Sequence, residues 1–192
     1  MPTPDFMAEI RCLDAIMKKT ITLSVLMLIL SVIFVTPAFA YDVEVNGIYY
    51  NIDKTYKTAE VSGNSENKYS GNIEIPSSVE VDEVIYSITS IGTSAFMNCQ
   101  GLKSVVIPNS VTRINGFAFE GCCDLTTITI PNSITSIEYR TFYGCSGLTS
   151  VTIPESVTSI GYSAFDGCNS LTSITVPNTI KHIGNNAFRN CI

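Results

Sequence analysis

The sequence predicts a repeat solenoid, mainly β with short turn or 3₁₀ segments. Three observations predict this fold class: a repeat of fixed length, an apolar–polar alternation inside each repeat, and a proline that follows the alternation. Five residue types recur at steps of 23 residues, in phase with one another. The recurring residues are Leu102, Leu125, Leu148 and Leu171; Pro108, Pro131, Pro154 and Pro177; Ile91, Ile114, Ile137, Ile160 and Ile183; Phe96, Phe119, Phe142, Phe165 and Phe188; and Cys99, Cys122, Cys145, Cys168 and Cys191.

The repeat that starts at Leu148 shows how its elements follow one another. Val151 and Ile153 alternate with polar residues, which indicates a short strand with one buried face. Pro154 ends this strand, because proline has no N–H to donate to a neighbouring strand. The following GYSAFDGC, residues 161–168, predicts one tight turn, helical or 3₁₀. A single copy cannot bury its apolar face, so we expect the copies to stack with their strands about 4.8 Å apart.

The repeat LTSVTIPESVTSIGYSAFDGC resembles the BspA-like class of bacterial leucine-rich repeats. The shared pattern is L-x-x-V-x-I-P-x-x-V-x-x-I-G-x-x-A-F-x-x-C, and it extends over residues 73–191. Three positions depart from it: Thr141 replaces alanine, and Asn115 and Glu138 replace glycine. The resemblance implies a right-handed leucine-rich-repeat solenoid.

The residues before the regular repeats predict a β-rich N-terminal cap over 41–72, with the solenoid spanning 73–192. Asn46-Gly47 in YDVEVNGIYYNI predicts a hairpin with a type I′ turn, and TAEVSG predicts a third strand. The first repeat carries Pro76 twelve residues before Ile88, where later copies have three. We expect the nine extra residues to form a loop or an additional strand pair, and the cap to shield the edge of the first repeat.

Residues 1–40 predict a signal peptide. Lys18 and Lys19 precede an apolar run, and Ala38-Phe39-Ala40 has the small-x-small arrangement of a cleavage site. We expect cleavage after Ala40 and translation from Met17, with 1–16 an upstream stretch outside the true gene. An uncleaved membrane anchor is the alternative. The protein is therefore expected to be secreted or displayed at the cell surface, with no membrane contact beyond the signal segment if it stays uncleaved.

The chain stops where another repeat strand is expected to begin. Cys191-Ile192 would precede the next L-x-x-V-x-I-P segment. We interpret the chain as a fragment of a longer protein; the alternative is an open end covered by a partner.

Charge and side-chain chemistry exclude several classes of function. The formal net charge is −6, concentrated before residue 84, which argues against nucleic acid as a partner. His182 is the single histidine and lies in a column expected to face solvent, without a matched nucleophile. The acidic residues form no recurring pair, and no phosphate-binding loop is present. We therefore expect no enzyme activity, no metal and no cofactor.

The cysteines are expected to remain free despite the predicted export. Those at 23-residue spacing share one column, so their Cβ atoms would lie near the ~4.8 Å strand spacing, beyond the ~3.8 Å typical of a disulfide. The sequence therefore predicts a ladder of buried thiols. Cys123 lies outside this column and is expected to be exposed and reactive.

Two surfaces are candidates for binding. One is an outward strand face rich in hydroxyl groups; its main residues are Thr126, Thr129, Thr149, Thr152, Thr172 and Thr175. A solvated face of β-branched residues is the first interpretation of this pattern, a binding face for protein or glycan is the second, and ice binding is a remote third. The other candidate is Tyr139 and Tyr162, expected to stack on the outer turn near Arg140 and Tyr143. Exposed Tyr and Arg are typical of interface anchors, although simple stacking between repeats would also explain the column.

The sequence favours a non-enzymatic recognition module that binds a protein or glycan ligand. Solenoids commonly offer extended binding surfaces. The family resemblance adds adhesion, because similar proteins are associated with host extracellular matrix proteins. The alternative is a structural spacer or array subunit of a larger surface protein.

Overall fold

The structure, a computed structural model, describes residues 41–64 and 69–191. These residues form fourteen β-strands and no helix. The expectations for residues 1–40 lie outside this range. The described residues therefore include no helix with the length and hydropathy of a membrane span. The strands are β1 (Val43–Val45), β2 (Ile48–Asp53), β3 (Thr58–Ser62), β4 (Gly71–Glu74), β5 (Ser78–Val81), β6 (Val84–Ile91), β7 (Leu102–Val106), β8 (Arg113–Ile114), β9 (Thr127–Thr129), β10 (Ser136–Ile137), β11 (Ser150–Thr152), β12 (Ser159–Ile160), β13 (Ser173–Thr175) and β14 (His182–Ile183).

The regular repeats stack in parallel, which confirms the predicted repeat solenoid. One sheet has the order β13-β11-β9-β7-β4, and from β7 to β13 its register pairs residues 23 apart, such as Val151 with Ile128 and with Ile174. Each repeat also contributes a second, two-residue strand that the sequence analysis did not anticipate. Ser159–Ile160, for example, pairs with Ser136–Ile137 and His182–Ile183. A two-residue strand is too short for an alternation to reveal it.

The segment 161–168 forms consecutive turns rather than the expected helical or 3₁₀ turn. The N–H groups of the even-numbered residues from Ala164 to Cys168 donate to carbonyl oxygens three residues earlier, at 3.2 to 3.4 Å. The N–H groups of the odd-numbered residues from Ser163 to Gly167 donate to carbonyl oxygens of the next repeat, at 2.8 to 3.0 Å. A regular 3₁₀ helix would use every N–H locally, so bonding to the next repeat prevents it.

The close approach of successive repeats explains the glycine at position 161. A Cβ atom there would lie 2.6 Å from the backbone nitrogen of Tyr139 and 2.7 Å from the carbonyl carbon of Glu138. Real Cβ contacts are not that short, and the obstacle is backbone that cannot rotate away. Gly161 therefore allows its repeat to pack directly against the preceding one.

The core consists of side-chain columns that run through all regular repeats. The rings of Phe96, Phe119, Phe142, Phe165 and Phe188 stack with centroids 5.0 to 5.5 Å apart and planes within 15° of parallel. The first four are fully buried. The column continues towards the N-terminus through Tyr69, Tyr49 and Tyr41, with centroid distances of 4.6, 5.8 and 4.4 Å.

The N-terminal strands have the predicted hairpin and the third strand. β1 pairs with β2 in antiparallel register, and Asn46 and Gly47 both have positive φ (52° and 79°), as a type I′ turn requires. β3 then pairs with β2 on one side and in parallel with β6 on the other. The nine-residue insertion forms a strand pair, because β5 and β6 make a hairpin. The expected boundary between cap and solenoid, at residues 72 and 73, falls inside β4.

Candidate binding surface

The predicted hydroxyl face is formed by the outer side of β9, β11 and β13 and by the residue that precedes each of these strands. We use this name for Thr126, Thr127, Thr129, Thr149, Ser150, Thr152, Thr172, Ser173 and Thr175, all of which are exposed. The parallel register places Thr129, Thr152 and Thr175 side by side. The Oγ1 atoms of Thr126 and Thr149 each donate to a carbonyl oxygen of the preceding repeat at 3.2 Å. Those two hydroxyls therefore support the stacking, and the Thr129 column is the freer part of the face.

The four residues predicted on the outer turn, Tyr139, Arg140, Tyr143 and Tyr162, are here called the Tyr–Arg cluster. The Arg140 backbone N–H donates to the Tyr162 carbonyl oxygen at 2.9 Å, which brings these two repeats together. The Arg140 guanidinium carbon lies 4.0 Å from the centroid of the Tyr143 ring, within range of a cation–π interaction. The structure therefore brings all members of the cluster onto two neighbouring repeats.

The expected stacking of Tyr139 on Tyr162 was wrong. Tyr139 instead packs edge-on against Phe117, with ring centroids 4.7 Å apart and planes at 88°. Its ring lies over Gly116, where a Cβ atom would come within 2.7 Å of it. The missing side chain at Gly116 lets Tyr139 turn back onto the preceding repeat, away from Tyr162.

Tyr162 is the most accessible member of the cluster. Its side chain is 53% exposed, compared with 46% for Tyr139. Within the described residues it makes no ring contact, whereas Tyr139 has Phe117 and Tyr143 has Arg140. Removing the Tyr162 ring should therefore disturb the fold less than removing either of the other two.

Arg140 is held in place by an ion pair as well as by aromatic rings. Its Nη2 donates to Glu120 Oε1 at 2.9 Å, and its guanidinium also lies 5.4 Å from the centroid of the Phe117 ring. Burial raises the pKa of Glu120, and the Arg140 charge opposes that rise. Arg140 Nε and Glu120 Oε2 are buried and have no hydrogen-bond partner in the described part of the chain, where one hydrogen bond joins the pair. The guanidinium is therefore positioned before any ligand arrives.

A second charged pair between repeats was not anticipated from the sequence. Asp166 is buried. Its carboxylate forms an ion pair with Arg189 Nη2 at 2.9 Å and accepts hydrogen bonds from Arg189 Nε and Asn190 Nδ2, both at 3.2 Å. The side chain of Ser163 donates to the same carboxylate at 3.3 Å. The 23-residue spacing of Asp166 and Arg189 was the available signal, because it places opposite charges in one column.

The cysteine column is a ladder of free thiols, as predicted. Cys99, Cys122, Cys145 and Cys168 are buried, Cys191 is half-buried, and the thiols of the last four donate to phenylalanine carbonyl oxygens 26 residues earlier, at 3.0 to 3.3 Å. Burial raises the pKa of the Cys99 thiol to about 11 and that of Cys168 to about 12, and it raises the pKa of Cys145 well above the ordinary value. A thiol that stays protonated and inaccessible reacts slowly.

Cys123 is expected to be the only fast-reacting thiol of the described residues. Its side chain is exposed, in contrast to that of its neighbour Cys122. In a Cys12→Ser background, we expect a thiol reagent at neutral pH to label about one cysteine in minutes and the buried column at least ~10³-fold more slowly. Mass spectrometry of the labelled protein locates the site, and Cys123→Ser should abolish the fast phase. Two or more fast-reacting cysteines would contradict the ladder.

The remaining candidates for chemistry are the histidine and possible metal ligands. His182 is exposed on β14, as its column predicted. Within residues 41–64 and 69–191, no three His, Cys, Asp or Glu side chains lie close enough together to hold a metal ion.

Comparison with known proteins identifies the repeat. Residues 72–192 match the family model of the BspA type leucine-rich repeat region, in six copies. A leucine-rich repeat protein from Bacteroides ovatus is 38% identical, with a TM-score of 0.71, and the match covers 77% of this chain and 38% of that one. The leucine-rich repeat protein of T. pallidum is 28% identical, with a TM-score of 0.66, over 78% of this chain and 67% of that one.

A third similar structure is described as a leucine rich cell surface protein, from Faecalibacterium prausnitzii. It is 25% identical, with a TM-score of 0.53, over 81% of this chain and 53% of that one. No curated protein matches the chain. The chain thus spans about two fifths of the length of the Bacteroides ovatus protein. The parallel 23-residue repeats, the phenylalanine and cysteine columns and the family match together lead to one conclusion: the chain belongs to the BspA type leucine-rich repeat proteins.

Proposed function

We propose that the protein is a non-enzymatic recognition module, exported to the cell surface or secreted, that binds a protein ligand through the Tyr–Arg cluster. Membership of this leucine-rich repeat family supports a role as a protein-binding module. The observation that carries the proposal for this chain is the exposed Tyr162 beside the positioned guanidinium of Arg140.

The chemistry of the cluster favours an interface anchor. Tyrosine and arginine are enriched among the residues that dominate binding energy, because they combine a large contact area with directed hydrogen bonds. Arg140 is already ordered by Glu120 and Tyr143, so binding would not have to order it again. The hydroxyl of Tyr162 would donate to or accept from a ligand, while its ring packs against it.

The hydroxyl face is the second surface that supports this function. Its register presents Thr129, Thr152 and Thr175 as a flat column. Such a face suits the hydroxyl-rich surface of a glycan or a glycoprotein, because each group both donates and accepts. Extracellular matrix glycoproteins present both protein and glycan surfaces, and they are the partners that we propose to test first. Display at the cell surface is proposed from the description of the Faecalibacterium prausnitzii protein.

Tyr162→Ser is the sharpest test of the Tyr–Arg cluster. The purified protein is assayed for saturable solid-phase binding to a panel of matrix glycoproteins and to host cells. For a ligand that binds, we expect Tyr162→Ser to weaken affinity by roughly 10- to 30-fold, the range of a tyrosine anchor. The free energy of unfolding should change by less than about 0.5 kcal/mol, because Tyr162 is 53% exposed and touches no other ring of the described residues.

Tyr56→Ser is the matched control, because Tyr56 is exposed in the turn between β2 and β3, away from the cluster. It should leave affinity unchanged. Equal affinity of Tyr162→Ser and the parent would reject the cluster as the binding site. No binding by the folded protein to any member of the panel would favour the spacer interpretation.

A further inference from the structure

The N-terminal sheet has two strand edges that face each other across shared clefts. The sheet order is β1-β2-β3-β6-β5, so among the described residues β1 and β5 each have one edge without a paired strand. A cleft of about 960 Å³ is lined by Val43 of β1 and by Val81 of β5. A second cleft, of about 450 Å³, is lined by Val45 of β1 and by Val79 of β5. The sheet is therefore curled so that its two outer edges approach one another.

The directions of the edge strands suit one added strand between them. β1 is antiparallel to β2, β2 to β3, and β5 to β6, whereas β3 is parallel to β6. β1 and β5 consequently run in opposite directions. A strand inserted between them would be parallel to one and antiparallel to the other, and both ladders are allowed in a mixed sheet.

The edge of β5 has free backbone groups that an added strand could use. Val81 and Val84 flank the two-residue turn of the β5–β6 hairpin and form a hydrogen-bonded pair. Since such pairs alternate along an antiparallel ladder, the N–H groups of Ser78 and Glu80 point away from β6. They are directed to the side of β5 that lines the clefts.

The floor of the larger cleft is apolar. It is lined by Ile52 of β2 and Tyr86 of β6, together with valines of β1, β5 and β6. Tyr86 is buried, whereas Val43, Ile52, Val81 and Val84 are only half-buried. Alternate side chains of an extended peptide could cover these half-buried groups, because every second residue of a strand points to the same face.

The rims of both clefts are acidic. Asp42, Asp53 and Asp82 line the larger cleft, where Lys54 is the single base among the described residues, and Glu74 and Glu80 line the smaller cleft. These residues are all exposed. The carboxylates of Asp42 and Asp53 also accept backbone hydrogen bonds at 2.7 to 3.0 Å, which fixes their positions. Five carboxylates against one ammonium group favour a cationic occupant.

We propose that the clefts between β1 and β5 bind a basic, extended segment of a partner protein, which adds to the sheet as a strand. Backbone hydrogen bonds to the free edges supply affinity, apolar side chains cover the floor, and lysine or arginine side chains reach the acidic rims. This site is separate from the Tyr–Arg cluster and does not depend on the function proposed there.

The test uses a fluorescein-labelled octapeptide of alternating lysine and valine as the probe, with the full chain. Fluorescence anisotropy at low salt should give saturable binding. A glutamate–valine octapeptide of the same length should bind at least tenfold more weakly, because its charges are reversed. A lysine–valine octapeptide with methylated backbone nitrogens keeps the charge but cannot donate hydrogen bonds to the strand edges. Its affinity should also be at least tenfold lower.

Three variants locate the site at β5 and the turn that follows it. Glu80→Pro removes an outward N–H on an edge strand, where proline is tolerated, and should weaken binding about tenfold. Glu80→Ala keeps that N–H and should weaken peptide binding only two- to fivefold. Asp82→Asn, at a turn position with a positive φ that asparagine accepts, should behave like Glu80→Ala.

Three outcomes would overturn the proposal. They are no saturable binding of the lysine–valine peptide, equal binding of the methylated peptide, and equal binding by Glu80→Pro. Equal binding of the methylated peptide would mean that charge alone attracts the probe. Tyr162→Ser should bind the octapeptide like the parent, so a failure of the recognition site and a failure of this site can be told apart.

Discussion

Replacing Phe142 with alanine is expected to lower the free energy of unfolding by about 3 to 5 kcal/mol, the range for a large-to-small change in a packed core. Phe142 is fully buried, and its ring stacks on Phe119 and Phe165 with centroids 5.4 and 5.2 Å away. Alanine would leave a cavity between two repeats that are joined by backbone hydrogen bonds and cannot close over it. The substitution therefore removes packing from both interfaces of this repeat, with the repeat of Phe119 and with the repeat of Phe165.

Urea denaturation followed by circular dichroism measures this loss, with Phe188→Ala as the matched control. Phe188 is only half-buried and stacks on one ring, Phe165, at 5.5 Å. Phe188→Ala should lower the free energy of unfolding by less than half as much as Phe142→Ala. Equal losses for the two variants would show that the stack does not add stability in proportion to the rings that each phenylalanine contacts.

Raising the pH above about 9 is expected to destabilise the protein steeply. In the folded chain, burial keeps the pKa of Cys122, Cys145 and Cys168 above the ordinary thiol value of 9, to about 12 for Cys168. The unfolded chain therefore loses these protons first. Stability is fully present below pH 9 and declines as the pH rises towards the folded-state values. Each thiol contributes about 1.4 kcal/mol per pH unit to this decline, so three contribute about 4 kcal/mol per unit.

Denaturation curves between pH 8 and 11, with a reductant present, give the slope of stability against pH. The variant that carries both Cys145→Ala and Cys168→Ala should reduce the slope by about 2.7 kcal/mol per pH unit, whatever its stability at pH 8. Cys123→Ser is the control, because it removes an exposed thiol that lies outside the buried column. An unchanged slope in the double variant would contradict titration of the buried ladder.

The columns of the solenoid were predictable from the sequence, because the repeat length is constant. When each repeat has 23 residues, stacking places every residue on its own counterpart. Phe142 then lies between Phe119 and Phe165, and Thr152 beside Thr129 and Thr175, whatever the details of the turns. The same reasoning places Cys145 in a column of buried thiols and Cys123 outside it.

Contacts that depart from the repeat could only be found in the tertiary structure. Arg140 pairs with Glu120, twenty residues away, and Tyr139 packs on Phe117, twenty-two residues away. These side chains reach diagonally between columns. The direction in which each one turns depends on its neighbours, such as the missing side chain at Gly116, and not on the spacing.

The N-terminal sheet shows most clearly the difference between what local sequence preferences determine and what long-range packing determines. Its hairpin turn followed from Asn46-Gly47, because these residue types accept positive φ, and that preference is local. The approach of β1 to β5 has no local cause. It depends on the pairing of β3 with β6, the second strand of the inserted hairpin, and no sequence pattern encodes that pairing. By itself, the sequence determined what repeats and what turns locally, while long-range packing alone decided which exposed groups share a surface.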